Sequence, residues 1–496
     1  MMRARYPGVA RGAMVVGVIA ILPAVAASVL GAQAATRPHA ALPTTATATA
    51  TAAKRTSAET LARTILAELV AINTTASTGS STPAAKKLAA RFVAAGFPLA
   101  DVMVMGRGPK SQNVIVRWRG KTRAKPIVFN AHLDVVEAPR LDWATDPFVL
   151  TERDGYLYGR GVLDDKGPAA SIAAAFIEAK RSGRVPERDL VLALTTGEES
   201  DIENGAIWLL EKQRKLVDAE YVVNLDAGGA SMRNGKAEAF GIEAAEKVYM
   251  DLDMIARGAG GHSSVPPVQT PIDRLARALG NVGQYNFPIA VSPVMRSYLE
   301  KRALLTDGET GAAMAALARD PADAAAAATL TKDRRMNSLL RTTCVATILR
   351  GGTAPNAIPQ EVAANVNCRV LPGTPQDDVI AALRAAVADT TITFVVTNPM
   401  HPSGPSMPAP AFTAMIERVL SAEHPGIPVI PYMETGATDG LWFRNAAVPV
   451  FGVNGFFIDD ADARRMHGKD ERISLLAFGE LVRYTERLLA EVAAAK

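Results

Sequence analysis

Cysteine is nearly absent. Cys344 and Cys368 are the only two in 496 residues, which excludes a zinc site built on thiolates. Neither sign of charge is in excess. The formal net charge is +4, and three positive charges, Arg3, Arg5 and Arg11, lie in residues 1–34, which hold no acid. The remainder is close to neutral, which argues against nucleic acid as a partner. After residue 30 no apolar run is long enough to span a membrane.

The N-terminus carries those basic residues, an apolar run Ala13–Leu30 and the small-residue stretch Ala32-Gln33-Ala34. This pattern predicts a signal peptide over residues 1–34 and an exported protein, periplasmic or secreted. The apolar run also reaches the lower limit of a membrane span, about 18 residues, so an uncleaved N-terminal anchor stays open. Residues 35–55, rich in Ala, Thr and Pro, read as a flexible linker. The rest exceeds a single typical core and predicts two domains.

The chemistry converges on Val191–Asp201, an apolar strand followed by Gly197 and the adjacent acids Glu198 and Glu199. Two other apolar strands end on comparable groups. Pro126–Ala131 runs into His132-Leu133-Asp134, and Tyr221–Leu225 runs into Asp226. The carboxyl ends of parallel strands share one edge of an open sheet, so these side chains would meet there. A glycine-bounded loop, residues 159–167, adds Asp164 before an Ala-rich helix. His467 precedes the final helix, Leu475–Ala494. Hard oxygen and imidazole donors without thiolate suit a pair of catalytic zinc ions.

From Lys247 the element order becomes strand, helix, strand, strand, helix, strand, which is the ferredoxin-like plan. The fold class expected is therefore α/β, with a mostly parallel central sheet in the catalytic domain and an inserted α+β lid or dimerisation domain. The boundaries read as catalytic residues 56–244, inserted residues 245–399 and catalytic residues 400–496. An Ala-rich excursion, Arg296–Leu340, reads as an extra helical hairpin whose stripe of Met314, Leu317 and Leu330 serves packing. If the second and third strands of the insert form a hairpin about residue 356, register counting puts Cys344 opposite Cys368. A disulfide and two buried thiols both remain open. His39, His401 and His424 read as tether, surface or packing residues.

The motifs His-Leu-Asp at 132–134, Gly-Arg-Gly-x-x-Asp-x-Lys-Gly at 159–167, Glu-Glu at 198–199, Gly-His-Ser-Ser at 261–264, Asn-x-Ile-Pro at 356–359 and His-Gly-x-Asp-Glu-Arg at 467–472 occur in one chain. In that order they resemble the co-catalytic dizinc metallopeptidases that include glutamate carboxypeptidase, aminoacylase and carboxypeptidase S. The long insert looks most like the carboxypeptidase S branch. The resemblance implies two Zn2+ ions, with other divalent metals such as Co2+ as substitutes. Asp164 would bridge them, His132 and Asp226 would complete one site, and Glu199 and His467 the other. It further implies Glu198 as general base, Asp134 as the group orienting His132, and a cis peptide between Asp164 and Asp165. His262, helped by Asn356, would stabilise the oxyanion, in dimers often across the subunit boundary. Arg369 would hold a substrate carboxylate, and Gly436 would approach the substrate through its backbone. One departure is Asn367, two residues before Arg369, where many relatives carry Asp.

These readings imply a hydrolase that cleaves the amide of a small peptide or N-acyl amino acid with a free C-terminal carboxylate, and a homodimer formed through the insert. The alternatives are an aminopeptidase or dipeptidase, and a noncatalytic peptide-binding module. The module would be expected to have lost Glu198 or a ligand, and all are present.

Overall fold

The computed structural model describes residues 56–200, 203–233 and 235–495. The expected signal peptide, linker and His39 lie outside them. Among the described residues no helix is long and apolar enough to cross a membrane.

The strand Ile127–His132 and the strand Leu190–Thr195 are buried at every position. Alternation explains their unbroken apolar runs. Ile127, Phe129, Leu190 and Leu192 enter one core with the helices Ser57–Val70, Lys166–Arg181 and Leu475–Ala494. Val128, Val191 and Ala193 enter a second core on the opposite face, against the helix Gly205–Lys212. A strand covered on both faces needs apolar residues at every position. The first helix starts where Thr56 and Glu59 form a capping box.

The main sheet runs in the order Val102–Gly108, Ser111–Trp118, Leu190–Thr195, Ile127–His132, Tyr221–Asn224, Val450–Gly452, Lys236–Glu246, Val429–Glu434, with Gly229–Arg233 paired to the seventh strand. The four strands from Leu190–Thr195 to Val450–Gly452 are mutually parallel. His132 pairs with Thr195 and Asn130 with Asn224, so three chain segments leave the sheet at one edge. The strand Lys236–Glu246 was hidden in the sequence by its acids. Glu243 and Glu246 are fully buried there, and Arg444 Nη2 donates to both oxygens of Glu243 at 2.7 Å. A charge placed in a core needs such a partner.

The insert forms a four-stranded antiparallel sheet in the order Thr343–Gly351, Glu361–Val370, Val248–Arg257, Thr393–Asn398. The helices Pro271–Gln284 and Gln376–Val387 pack on one face through Leu275, Val282, Val379 and Leu383. This is the ferredoxin-like order expected. Cys344 and Cys368 pair in register and are disulfide-bonded.

The excursion is not a hairpin. It folds as four helices, Pro293–Ala303, Gly308–Arg319, Ala324–Leu330 and Arg334–Leu340. Two aspartates divide it: Asp323 caps the third helix at Ala326 N and Asp333 caps the fourth at Met336 N. Met314, Leu317 and Leu330 pack together with Ala244, Ala245 and Met433 of the main sheet, so the stripe serves packing as expected.

Candidate active site

Asp164 sits between two imidazoles. Its Oδ1 lies 2.9 Å from His132 Nε2 and its Oδ2 lies 2.9 Å from His467 Nε2. His132 Nε2 is also 3.6 Å from Asp226 Oδ1, and His467 Nε2 is 3.1 Å from Glu199 Oε2. One carboxylate thus faces two separate donor sets. The peptide between Asp164 and Asp165 is cis.

Local geometry fixes each donor. His132 closes its strand, and its backbone N–H donates to Asp165 Oδ2 at 2.9 Å. Its Nδ1 is 3.0 Å from the backbone carbonyl of Asp134, whereas the Asp134 carboxylate is 3.6 Å away. That carboxylate accepts the backbone N–H groups of Glu198 and Glu199, at 3.3 and 3.1 Å. Asp134 therefore orients the imidazole through its main chain and holds the Glu-Glu turn through its side chain. Asp226 N–H donates to Asn224 Oδ1 at 3.1 Å.

The cluster is short of positive charge. Burial, and then the charge on Asp226, push the Glu198 carboxyl well above the ordinary range. Burial likewise raises Glu199 and Asp226. Burial alone would depress the His132 imidazole, yet Asp226, Asp134 and Asp164 outweigh it and raise it. Glu199 Oε1 and Asp165 Oδ1 are buried without a hydrogen-bond partner among the described residues. His132, Asp164 and Glu199 bring ligand atoms within 4.8 Å of one another, as do His132, Asp165 and Asp226. Acids in excess, orphaned oxygens and imidazole donors fit divalent cations.

A cavity of about 920 Å³ opens over the cluster. Asp164, Glu198, Glu199, Asp226 and His467 line it, together with Arg369 and Gly436. Ile207, Leu441, Trp442, Phe456 and Met466 supply apolar wall. His401, an exposed residue, also lines the cavity, its ring centre 4.7 Å from that of Trp442 in a tilted arrangement. His424 is a packing residue, stacked on Phe457 at 3.9 Å and bonded to Glu480.

Two expected site residues are not brought to this cavity. His262 and Asn356 lie at an exposed ribbon formed by Gly261–His262 and Ala357–Ile358. His262 Nδ1 is 2.8 Å from Ser264 Oγ, and Ser263 N–H donates to the Asn356 carbonyl at 3.0 Å. Within one chain they do not line the cavity walls.

Glu471 escaped the sequence reading, although it stands in the 467–472 motif. Its carboxylate accepts the N–H groups of Gly161, Leu163 and Asp164 and the Nη1 of Arg160. It ties the Asp164 loop to the segment bearing His467.

A mixed sheet with carboxylates and imidazoles at one edge, beneath an inserted ferredoxin-like sheet, defines a metallopeptidase-type hydrolase. The model of peptidase family M20/M25/M40 matches residues 128–491, and the chain belongs to that family. It is an amidohydrolase of the metal-dependent kind. It is 28% identical over 375 residues to the human N-fatty-acyl-amino acid synthase/hydrolase PM20D1, covering 74% of each chain. It is 26% identical over 393 residues to the probable carboxypeptidase S-like 2 of Dictyostelium discoideum, covering 76% of this chain and 74% of that one. Its fold matches the M20 family metallo-carboxypeptidase Sso-CP2 of Sulfolobus solfataricus with a TM-score of 0.65 at 16% identity, over 87% of this chain and 99% of the other.

Proposed function

We propose that the protein is an exported dizinc hydrolase that releases an amino acid with a free carboxylate from N-acyl amino acids or small peptides. The observation that carries this reading is the position of Asp164, each of whose oxygens faces a different imidazole. His132, Asp164 and Asp226 would hold one metal ion, and Asp164, Glu199 and His467 the other. When bound, such ions supply Lewis-acid activation of water and of the scissile carbonyl.

The chain's own groups do the rest. Glu198, half-buried in the cavity wall beside the cluster, takes a proton from the attacking water and delivers it to the leaving nitrogen. Arg369 faces the cavity and, among the described residues, makes no hydrogen bond or ion pair. Its planar fork is left for a substrate carboxylate. Gly436 lines the cavity with backbone alone. The apolar wall of Ile207, Leu441, Trp442, Phe456 and Met466 suits the acyl group, a choice supported by the name of the human relative.

Because His262 and Asn356 lie outside the cavity, they would reach the oxyanion from a second copy of the chain, in a homodimer formed through the insert. The exposed strand Thr343–Gly351, at the edge of the insert's sheet with Val345, Ile348 and Leu349 outward, supports such pairing. Export is supported by the Cys344–Cys368 disulfide, which suits an oxidising compartment.

The test is hydrolysis by the zinc-loaded chain of paired N-acyl and free-amine dipeptides, each with a free and an amidated C-terminus, with a chelated control. The expected result is cleavage of free-carboxylate members alone, abolished by chelation. Cleavage of amidated, free-amine peptides would make the enzyme an aminopeptidase and give Arg369 another task.

A further inference from the structure

Arg369 stands on the sheet of the insert directly opposite Tyr249, in the antiparallel register that also sets Asn367 opposite Asp251. The guanidinium carbon of Arg369 lies 4.7 Å from the centre of the Tyr249 ring, and both residues line the catalytic cavity. The Tyr249 hydroxyl donates to Asp251 Oδ2 at 2.5 Å, and Asn367 Nδ2 donates to Asp251 Oδ1 at 2.9 Å. Both oxygens of Asp251 are therefore engaged, and this acid, one row along the sheet, forms no ion pair with Arg369.

We infer that Tyr249, anchored through Asp251 and Asn367, is the positioning residue that makes Arg369 a selective clamp for a substrate carboxylate. The inference rests on the carboxylate reading of Arg369. A free arginine side chain loses rotamer entropy when it is fixed, a cost that a bound carboxylate would otherwise have to overcome. An aromatic face holds the guanidinium plane by cation–π attraction without consuming any of its N–H donors. A carboxylate partner in that place would instead occupy the fork and compete with the substrate. The arrangement also accounts for the departure at residue 367. Two acids directly opposite each other on neighbouring strands repel, so with Asp251 on one strand an amide at 367 both avoids the repulsion and donates the second anchoring bond. The aromatic face supplies most of the attraction, and the tyrosine hydroxyl adds an anchor that fixes the ring's tilt.

The test compares wild type with Arg369→Ala, Tyr249→Leu, Tyr249→Phe and Asp251→Asn, using N-octanoyl-L-leucine as substrate and N-octanoyl-L-leucinamide as competitive inhibitor. For Tyr249→Leu the expected result is a KM for the acid raised about tenfold, with kcat within about twofold and the inhibition constant of the amide unchanged. Tyr249→Phe should recover most of that loss, and Asp251→Asn should raise KM about threefold. An unchanged amide constant also shows that each variant is folded. If Arg369→Ala raises KM for the acid while Tyr249→Leu and Asp251→Asn leave it at the wild-type value, the platform is refuted and the clamp stands. A Tyr249→Leu effect of equal size on acid and amide refutes it too. If Arg369→Ala shifts acid and amide alike, the carboxylate reading itself is wrong.

Discussion

Glu471 accepts the backbone N–H of Asp164 at 3.2 Å across 307 positions of sequence. The same oxygen accepts Leu163 N–H at 2.7 Å, while the other accepts Gly161 N–H and pairs with Arg160 at 2.6 Å. Both side chains of the pair are buried, at 2% and 0% exposure. The carboxylate is thus a clasp that sets where Asp164 meets His467.

Replacing that clasp should cost both fold and site. Glu471→Gln leaves Arg160 buried without its counter-charge, which should destabilise the chain by about 3 kcal/mol in urea unfolding. Zinc affinity, read by calorimetric titration, should fall about tenfold or more, as it does when groups supporting ligands are lost. Wild-type affinity in the variant would show that the loop holds its shape without Glu471.

Glu198→Gln should separate binding from turnover. The amide keeps the shape of the side chain but cannot hold the proton in transit, so kcat should fall by about a thousandfold or more. Metal content, measured on the same preparation by atomic emission, should stay at the wild-type ratio. Turnover near wild type would remove Glu198 as the base.

A pH-dependent contribution is expected from the first two helices. Arg91 donates to both oxygens of Glu68, at 2.7 and 2.6 Å, and this pairing holds the Glu68 carboxyl below its ordinary value. A carboxylate with a lowered folded-state pKa stabilises the fold above its unfolded-state pKa and loses that contribution as pH falls through the folded-state value. Arg91→Gln should therefore lower stability by about 0.5 kcal/mol near neutral pH, a small figure because both groups are about a quarter exposed. The difference from wild type should vanish in strong acid. A constant difference at every pH would assign the effect to lost packing instead.

The disulfide should be worth more than any surface pair. It closes a loop with a sequence separation of 24, for which restriction of the unfolded chain predicts about 3 kcal/mol. Thermal unfolding should shift downward with added reductant in the wild type. No reductant effect should be seen in the Cys344→Ala, Cys368→Ala double variant. Equal sensitivity in both would mean that the bond contributes nothing measurable.

Several features were legible in the sequence because their causes are local. Unbroken apolar runs marked the strands ending near His132, Thr195 and Asn224, since a strand covered on both faces alternates between two cores. The chemistry at each strand end followed from the shared edge of a parallel sheet. Residue counting alone set Cys344 opposite Cys368, because antiparallel register is arithmetic once the turn is known. Periodicity marked the final helix Leu475–Ala494, where Leu481, Tyr484, Leu488 and Val492 return to one face.

Other features were decided only by the tertiary structure. Nothing local marks the strand Lys236–Glu246 as core, because Glu243 and Glu246 enter it only where Arg444, from a distant helix, supplies the counter-charge. No spacing encodes the clasp of Glu471 on the Asp164 loop, the ring of Tyr249 beneath Arg369, or the distance of His262 from the cavity. Apolar periodicity is written within one or two turns of chain, whereas a buried polar group is tolerated only where long-range packing brings a partner to it. The amino-acid sequence therefore determined which elements form and which donors they carry. The fold decided which oxygen faces which nitrogen.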